Sequence, residues 1–429
     1  MRRVLGDFVT LQRGNTYKSA LLGAPGPVLL GLGSIGKNGG FRGDNLKTYG
    51  GECDPRILLA PGDIYVSLKD VTQSADLLGA VARVPQHIHH GRLTQDTVKL
   101  VFAADAPRAL IYWVLQCPQY RAYCRSVATG TTNLGLARED FLSFPIPKES
   151  DDVKIVVELL ETIEQKAELN RKMNATLEAM ARALFRDWFV DFGPTRAKME
   201  GREPYLSPDL WALFPDRLDA EGKPEGWEEK PLTEFFSIIG GGTPKTSNAE
   251  FWVGPILWFS VTDTPPNGSV FVTDTEKTIT EAGLNGSSAR LVPKGTTIIS
   301  ARGTVGNLAV AGCDMTFNQS CYGLRGAGPV GDYATYLIAQ NMVSQFQAMA
   351  HGSVFSTITR QTFESLSLAM PTDGVLRAFE DAASPLFAKI LSNVLESRTL
   401  AETRDLLLPR LMSGELRVAD FTPTEMETA

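Results

Sequence analysis

"ATGTTNLGLAREDFLSFPIP", residues 128–147, is written a second time in altered form as "AHGSVFSTITRQTFESLSLAMP", residues 350–371. Gly130 falls on Gly352, Arg138 on Arg360, Phe141 on Phe363 and Ser143 on Ser365, all at an offset of 222. Further upstream, "LLAPGDIYVSLK" (58–69) matches "LVPKGTTIISAR" (291–302) at an offset of 233, pairing Gly62 with Gly295 and Ser67 with Ser300. "LTQDTVKL" (93–100) matches "FNQSCYGL" (317–324) at an offset of 224, pairing Gln95 with Gln319. Drifting offsets are what loop insertions between two copies of one module produce, so the chain reads as an internal duplication.

Each copy is followed by a long helical pattern. Val156, Leu159, Ile163, Lys166, Asn170, Met173, Leu177, Met180 and Leu184 alternate spacings of three and four, the seam of a coiled coil. Adding 223 gives a second seam of Phe379, Ala382, Leu386, Lys389, Asn393, Glu396, Leu400, Thr403 and Leu407, with Pro385 predicting a kink or a late start. Two helices of about 40 residues span about 60 Å at 1.5 Å per residue. Asn170 and Asn393 lie near their midpoints, and antiparallel packing would bring them face to face as a polar register pair.

The modules themselves read as mixed α/β. β-rich runs such as "DIYVSL", "TVKLVF", "PILWFSV" and "TTIISAR" lie between Gly, Pro and Asn turns, with short helices "ALIYWVLQ" and "YATYLIAQNMVSQF" late in each copy. The resulting division is a first module (1–149), a first helix (150–192), a Pro- and charge-rich connector (193–225), a second module (226–371), a second helix (372–418) and a tail (419–429).

Composition bounds the function. With 43% hydrophobic and 21% charged residues in 429, the chain is an ordinary folded protein. No apolar stretch is long enough for a targeting or membrane segment. Five cysteines without CxxC spacing signal neither a disulfide framework nor a zinc site, and a reducing cytoplasm is the expected location. The net charge of −7 is uneven: residues 1–150 hold 17 Lys and Arg against 12 Asp and Glu, whereas residues 226–371 hold 8 against 11.

Catalytic patterns fail on their context. "GLGSIG" (31–36) follows an apolar run, but "KNGGFRGDN" after it predicts turns where a phosphate-binding helix should open. "HIHH", with His87, His89 and His90, has no acidic neighbour to complete a metal site. "TPPNG" (264–268) carries part of the Asn/Asp-Pro-Pro-aromatic pattern of base methyltransferases, but Asn267 stands at the aromatic position. Ser34 has Leu32 where a nucleophile elbow needs glycine, and no GKS or GKT phosphate loop exists. The chain is expected to be non-catalytic and to hold no metal.

Two similar modules joined by two matched helices suit DNA whose recognised sequence comes in two parts, because the distance between readers sets half-site spacing. The residues here carry a resemblance. "LAETRDLLLPRLMSGELRV" (400–418), "LEAMARALFRDWFVDF" (177–192) and "GGTPKTSNAEFW" (241–252) resemble, respectively, the C-terminal signature, the central region and the start of the second recognition domain of type I restriction-modification specificity subunits. The resemblance implies an α/β (α+β) chain with two target recognition domains and two antiparallel coiled-coil helices related by a pseudo-twofold repeat. It implies that each domain reads one half of a bipartite target in double-stranded DNA, while the helices set the spacing and dock two modification subunits that methylate adenine. S-adenosylmethionine, ATP and Mg are then expected in partner modification and restriction subunits, with no cofactor in this chain. Competing readings are a specificity chain serving a fused restriction-modification enzyme and a non-DNA two-module scaffold.

For DNA contact the expected residues are polar and basic ones at equivalent places of the repeat: Lys18, Thr243 and Lys245 in the loops leading into each module; Lys69 and Arg302 after the paired Gly-x-x-x-x-Ser segments; and Thr131, Thr132, Asn133 and Ser353 beside the paired glycines. For partner contact they are the apolar helix ends, Leu184, Phe185, Trp188 and Phe189 in the first copy and Leu407, Leu408 and Leu411 in the second.

Overall fold

The computed structural model describes residues 3–43, 45–71, 74–131, 133–266, 269–351 and 357–413. Thr132, Asn267, Gly268, Gly352, Ser353 and the stretch 414–429 lie outside the described residues. The chain divides into two compact units, Met1–Lys166 with Thr399–Ala429, and Ala167–Arg398.

In the first unit a four-stranded antiparallel sheet is built from β1 (Val9–Arg13), β2 (Ile64–Ser67), β3 (Val81–Arg83) and β4 (Thr97–Phe102), in the order β1-β4-β2-β3. In the second unit β5 (Phe236–Gly240), β6 (Phe271–Val272), β7 (Thr297–Ser300), β8 (Leu308–Ala311) and β9 (Cys321–Gly326) run β5-β9-β7-β8-β6. The first four strands of the second order repeat the first sheet, and β6 adds a parallel edge strand beside β8.

Register proves the equivalence. Ser67 sits opposite Thr97 and Ser300 opposite Cys321, so segments that repeat at offsets of 233 and 224 are paired in the same way in both units. Beside each main sheet the chain repeats a smaller one: Leu30 lies opposite Leu93 in parallel, and Phe259 opposite Phe317. The paired Gly62 and Gly295 both adopt left-handed φ, +84° and +90°, a conformation glycine adopts without steric cost. A second glycine pair, Gly14 and Gly241, opens a Gly-x-Thr-x-Lys run in each copy at an offset of 227. A Cβ at Gly14 would run into the carbonyl oxygen of Thr94, and one at Gly241 into that of Asn318.

The central strands explain the cores. Ile64 and Val66 face one hydrophobic cluster and Tyr65 another, following the two-residue period of a strand covered on both sides. In the second unit Ile299 and Ile298 divide in the same way. Each fully buried aliphatic side chain contributes roughly 1.5–3 kcal/mol.

Helix α1 spans Asp151–Phe189, and Ser150 caps it with its hydroxyl accepting from Val153 N at 3.3 Å. Helix α2 is Asp332–His351 and helix α3 is Asp373–Ser413. Pro385 does not delay α3, which begins twelve residues before it. Its ring is exposed, as is Asp381, whose carbonyl loses the usual amide donor.

The seams differ from the sequence expectation in phase. Met180, Lys389 and Thr403 are exposed, while Asn174, Glu178, Ala181, Phe185 and Trp188 on α1 and Ala383, Phe387 and Ile390 on α3 are buried. In the second unit these helices pack on their own module as well as on each other, which turns the buried face by one residue. Phe387, for example, stacks on Tyr333 of α2 with ring centroids 4.4 Å apart.

Within the second unit α1 and α3 run antiparallel, with residue 170 near 396 and 397, 174 near 393, and 185 near 379. Asn170 meets Asn393 at its backbone, and both side chains are also bonded to neighbours. Asn170 donates to Glu396 at 2.8 Å and Ser397 at 3.3 Å, and reaches the Asn393 carbonyl at 3.5 Å. Asn393 donates to Asn174 at 2.8 Å. Among the described residues no donor reaches the buried Oδ1 of Asn170 or Asn393.

Candidate nucleic-acid interface

In the first unit the chain leaves β2 at Leu68 and forms a two-residue strand, Lys69–Asp70, against Leu134–Gly135. Lys69 is opposite Gly135, and Leu136 N donates to the Leu68 carbonyl at 2.9 Å. That pairing draws together two pieces of the expected site, Lys69 and the turn 130–133. Gly130 closes the turn at φ +96°, where a Cβ would run into the Asn133 carbonyl. Thr131 and Asn133 are exposed at its tip.

The second unit repeats the arrangement. Arg302 forms a bridge with Thr357, and Ile358 N donates to the Ala301 carbonyl at 2.9 Å. Leu136 and Ile358 differ by 222, and Leu68 and Ala301 by 233, the offsets of the sequence repeat. Each module thus puts one exposed cation at the end of its central strand, against the segment that follows its late helix.

Lys69 is held loosely by Asp96 at 3.5 Å with more than half its side chain exposed, an ion pair of little strength that a phosphate can replace. Behind it, the buried Asp70 accepts from Leu77 N at 2.6 Å and Leu78 N at 3.2 Å. The buried Arg121 guanidinium donates to the carbonyls of Leu78, Ala75 and Asp76 at 2.5, 3.0 and 2.9 Å. Burial pulls the Arg121 pKa down from its ordinary value. This clamp anchors residues 75–78 beside Lys69.

The leading loops also converge. Thr243 Oγ1 donates to Gln319, which is exposed, and Ser320 accepts from Ala301 N at 2.8 Å, so Thr243, Gln319 and Arg302 lie along one edge. Two indoles fix this loop: Trp258 Nε1 donates to the Gly242 carbonyl at 2.9 Å and Trp252 Nε1 to the Lys245 carbonyl at 3.4 Å. Lys245 and Lys18 are exposed. The offset of 227 that relates Gly14 to Gly241 also relates Lys18 to Lys245. In the first unit Arg92 donates to Asn15 at 2.5 Å and to the Thr16 carbonyl at 2.9 Å, fixing the equivalent loop. Sequence reading leaves Gln95 and Gln319 as a bare match and misses Asp96, Asn15 and Arg92. The Gln95–Gln319 repeat match is the signal that could have found the glutamines.

The expected partner residues are placed otherwise. Phe185, Trp188 and Phe189 are buried among Phe214, Trp227, Leu232 and Phe379, and Leu184 packs against the same cluster. Leu407, Leu408 and Leu411 are buried in the first unit with Val153, Val156 and Leu160, and Cys117 Sγ donates to the Leu408 carbonyl at 3.0 Å. These seven apolar side chains close the chain's own cores. The expectation that they face another subunit is corrected.

The "GLGSIG" run passes from the strand Val28–Leu30 into a single short 3-10 turn, Leu32–Ser34. Ser34 is buried and bonded to the Gly31 carbonyl at 2.6 Å and to Tyr65 Oη at 2.8 Å. The run packs the first module's core. His89 and His90 are exposed, and His87 lies edge-on to Phe41 with ring centroids 6.3 Å apart. No group of metal-ligating side chains occurs among the described residues. None of the described helices is long and apolar enough to cross a membrane.

Comparison with known proteins agrees with this geometry. Residues 224–396 match the family model described as type I restriction modification DNA specificity domain. The type I restriction enzyme HindI specificity subunit of Haemophilus influenzae is 29% identical over 320 residues, covering 64% of this chain and 69% of the relative. The MjaIX specificity subunit of Methanocaldococcus jannaschii is 29% identical over 331 residues, covering 72% and 69%. The fold is also similar to that of the crystal structure of a type I restriction-modification S subunit from M. genitalium, with a TM-score of 0.53 at 15% identity over 96% of this chain and 95% of that one. Residues 224–396 thus carry the type I restriction modification DNA specificity domain, and most of the chain is similar to specificity subunits of type I restriction enzymes.

Proposed function

We propose that each unit reads one half of a bipartite target in double-stranded DNA, the first through Lys18, Lys69, Thr131 and Asn133 and the second through Thr243, Lys245 and Arg302. The observation that carries this reading is the twin pairing of Lys69 with Gly135 and of Arg302 with Thr357, one cation per module at one structural position. Cations there position the module on phosphates, and the hydroxyl and amide groups beside them read base edges. Thr132 and Ser353 belong to the same proposal from the sequence repeat alone.

The helices set the distance between the two readers and dock two modification subunits that methylate adenine. The exposed apolar positions on α1 and α3, Leu169, Met180 and Leu406, replace the buried helix ends as the docking residues. This chain carries out no chemistry and works in the cytoplasm; S-adenosylmethionine, ATP and Mg belong to the modification and restriction subunits. Because the second module is acidic overall, tight DNA binding requires those partners.

Exchange of residues 226–371 for those of a relative with another target tests the reading. The adenine-methylation motif of the assembled enzyme changes in one half and keeps the other; a change in both halves or in neither overturns it.

A further inference from the structure

Among the described residues five besides glycine have a left-handed φ: Asn38, Asn45, Ala75, Phe192 and Val253. Asparagine tolerates that region, Ala75 is buried in the first module's core, and Phe192 packs edge-on against Trp227 at 5.8 Å. Val253 differs on every count. It is β-branched, its φ is +61°, and its side chain is 91% exposed. A β-branched residue in this region is strained, and strain persists only where the surroundings over-determine it.

The surroundings do so. Thr280 N donates to the Phe251 carbonyl at 3.0 Å and Thr280 Oγ1 to the Glu250 carbonyl at 2.7 Å. On the other side Gly254 lies so close to the Ile279 carbonyl that a Cβ would collide with it. The strand Trp252–Phe259 consequently bulges, with both Trp252 and Ile256 opposite Ile279, and Val253 is extruded between two pinned segments. Its neighbour Trp252 is the residue whose indole holds the Lys245 carbonyl. The extruded valine is therefore next in the chain to the tryptophan that holds the cationic loop of the second module's proposed DNA edge.

Glycine would make this bulge without strain, so the fold does not explain a valine there. We infer that Val253 is a specificity residue of the second module, whose isopropyl group contacts the C5-methyl of a thymine in the major groove. Apolar contact with that methyl is the means by which a small side chain tells thymine from cytosine. The inference rests on the DNA-reading function proposed above. A half-site with a methylatable adenine carries a thymine on its other strand, so the contact has an occupant.

The test uses the full chain assembled with its modification subunits and a duplex bearing its methylation motif. Each thymine of the second half-site is replaced in turn by deoxyuridine, which lacks only the methyl, and binding is measured for the wild type and for Val253→Gly. Glycine relieves the strained φ, so the variant is expected to melt no lower than the wild type, with Val253→Asn as a second, conformationally tolerated control. The expected result is that one substitution weakens wild-type binding about three- to tenfold, the scale of one lost methyl contact, and leaves Val253→Gly unchanged. Equal losses for both proteins at every position overturn the inference while leaving the DNA reading intact. Failure of the wild-type complex to prefer the motif over scrambled duplex overturns both.

Discussion

Asn393 on α3 donates from Nδ2 to Asn174 Oδ1 on α1 at 2.8 Å, in a part of the antiparallel pair shielded from water. The single replacement Asn393→Leu leaves Asn174 buried without its donor and is expected to destabilise the chain by about 1–3 kcal/mol in chemical denaturation. The double replacement Asn174→Leu with Asn393→Leu recovers most of that loss, because both polar partners are removed together. Additive losses in the double variant contradict the pairing.

Lys69 and Arg302 occupy one structural position in two modules. Replacing either by Glu in the assembled complex is expected to weaken DNA binding, and neutralising either to lower the salt slope, log Kd against log salt, by about one. Titrations from low to physiological salt measure this directly. A slope unchanged in both variants removes these cations from the interface.

Gly14 and Gly241 each meet a backbone carbonyl at the equivalent place of their own module, that of Thr94 and that of Asn318. Gly14→Ala and Gly241→Ala are each expected to lower stability by about 1–3 kcal/mol, the scale of overpacking, whereas Gly222→Ala loses only the ease of its left-handed turn. Thermal melts rank the three.

Burial pushes the Cys117 and Cys321 thiols up to about 12 and raises Cys124 as well. At pH 8, below these values, all three remain protonated, and the thiolate is the reactive form. Alkylation followed by mass spectrometry is expected to mark half-buried Cys53 first, Cys313 more slowly, and the other three only after unfolding. Rapid labelling of Cys117 in the native chain contradicts the packing of α3 against the first module.

Much of the architecture was legible because duplication leaves paired marks. Gly62 and Gly295 mark the turns into equivalent central strands, and the offsets 233, 224 and 222 reappear as hydrogen-bonded neighbours. Gly14, Thr16 and Lys18 match Gly241, Thr243 and Lys245 at an offset of 227, a short mark that the contacts of Gly14 and Gly241 repeat in the structure. The helix ends misled for another reason. "LFRDWF" shows an apolar excess, but a linear sequence does not show Phe214 and Trp227 folding back to cover it. Val253 carries no sequence signal at all, since its strain comes from pinning by Thr280 and by the close approach of Gly254 to Ile279.

On the proposed function, this chain chooses the sequence its partners modify. Modification-sensitive long-read sequencing of host DNA, with the chain co-expressed beside its methyltransferase partner and in a strain lacking only the chain, tests it most directly. The expected result is a split motif with methyladenine on both strands that disappears with the chain. A methylation pattern unchanged by its loss, with the partner still active, contradicts it.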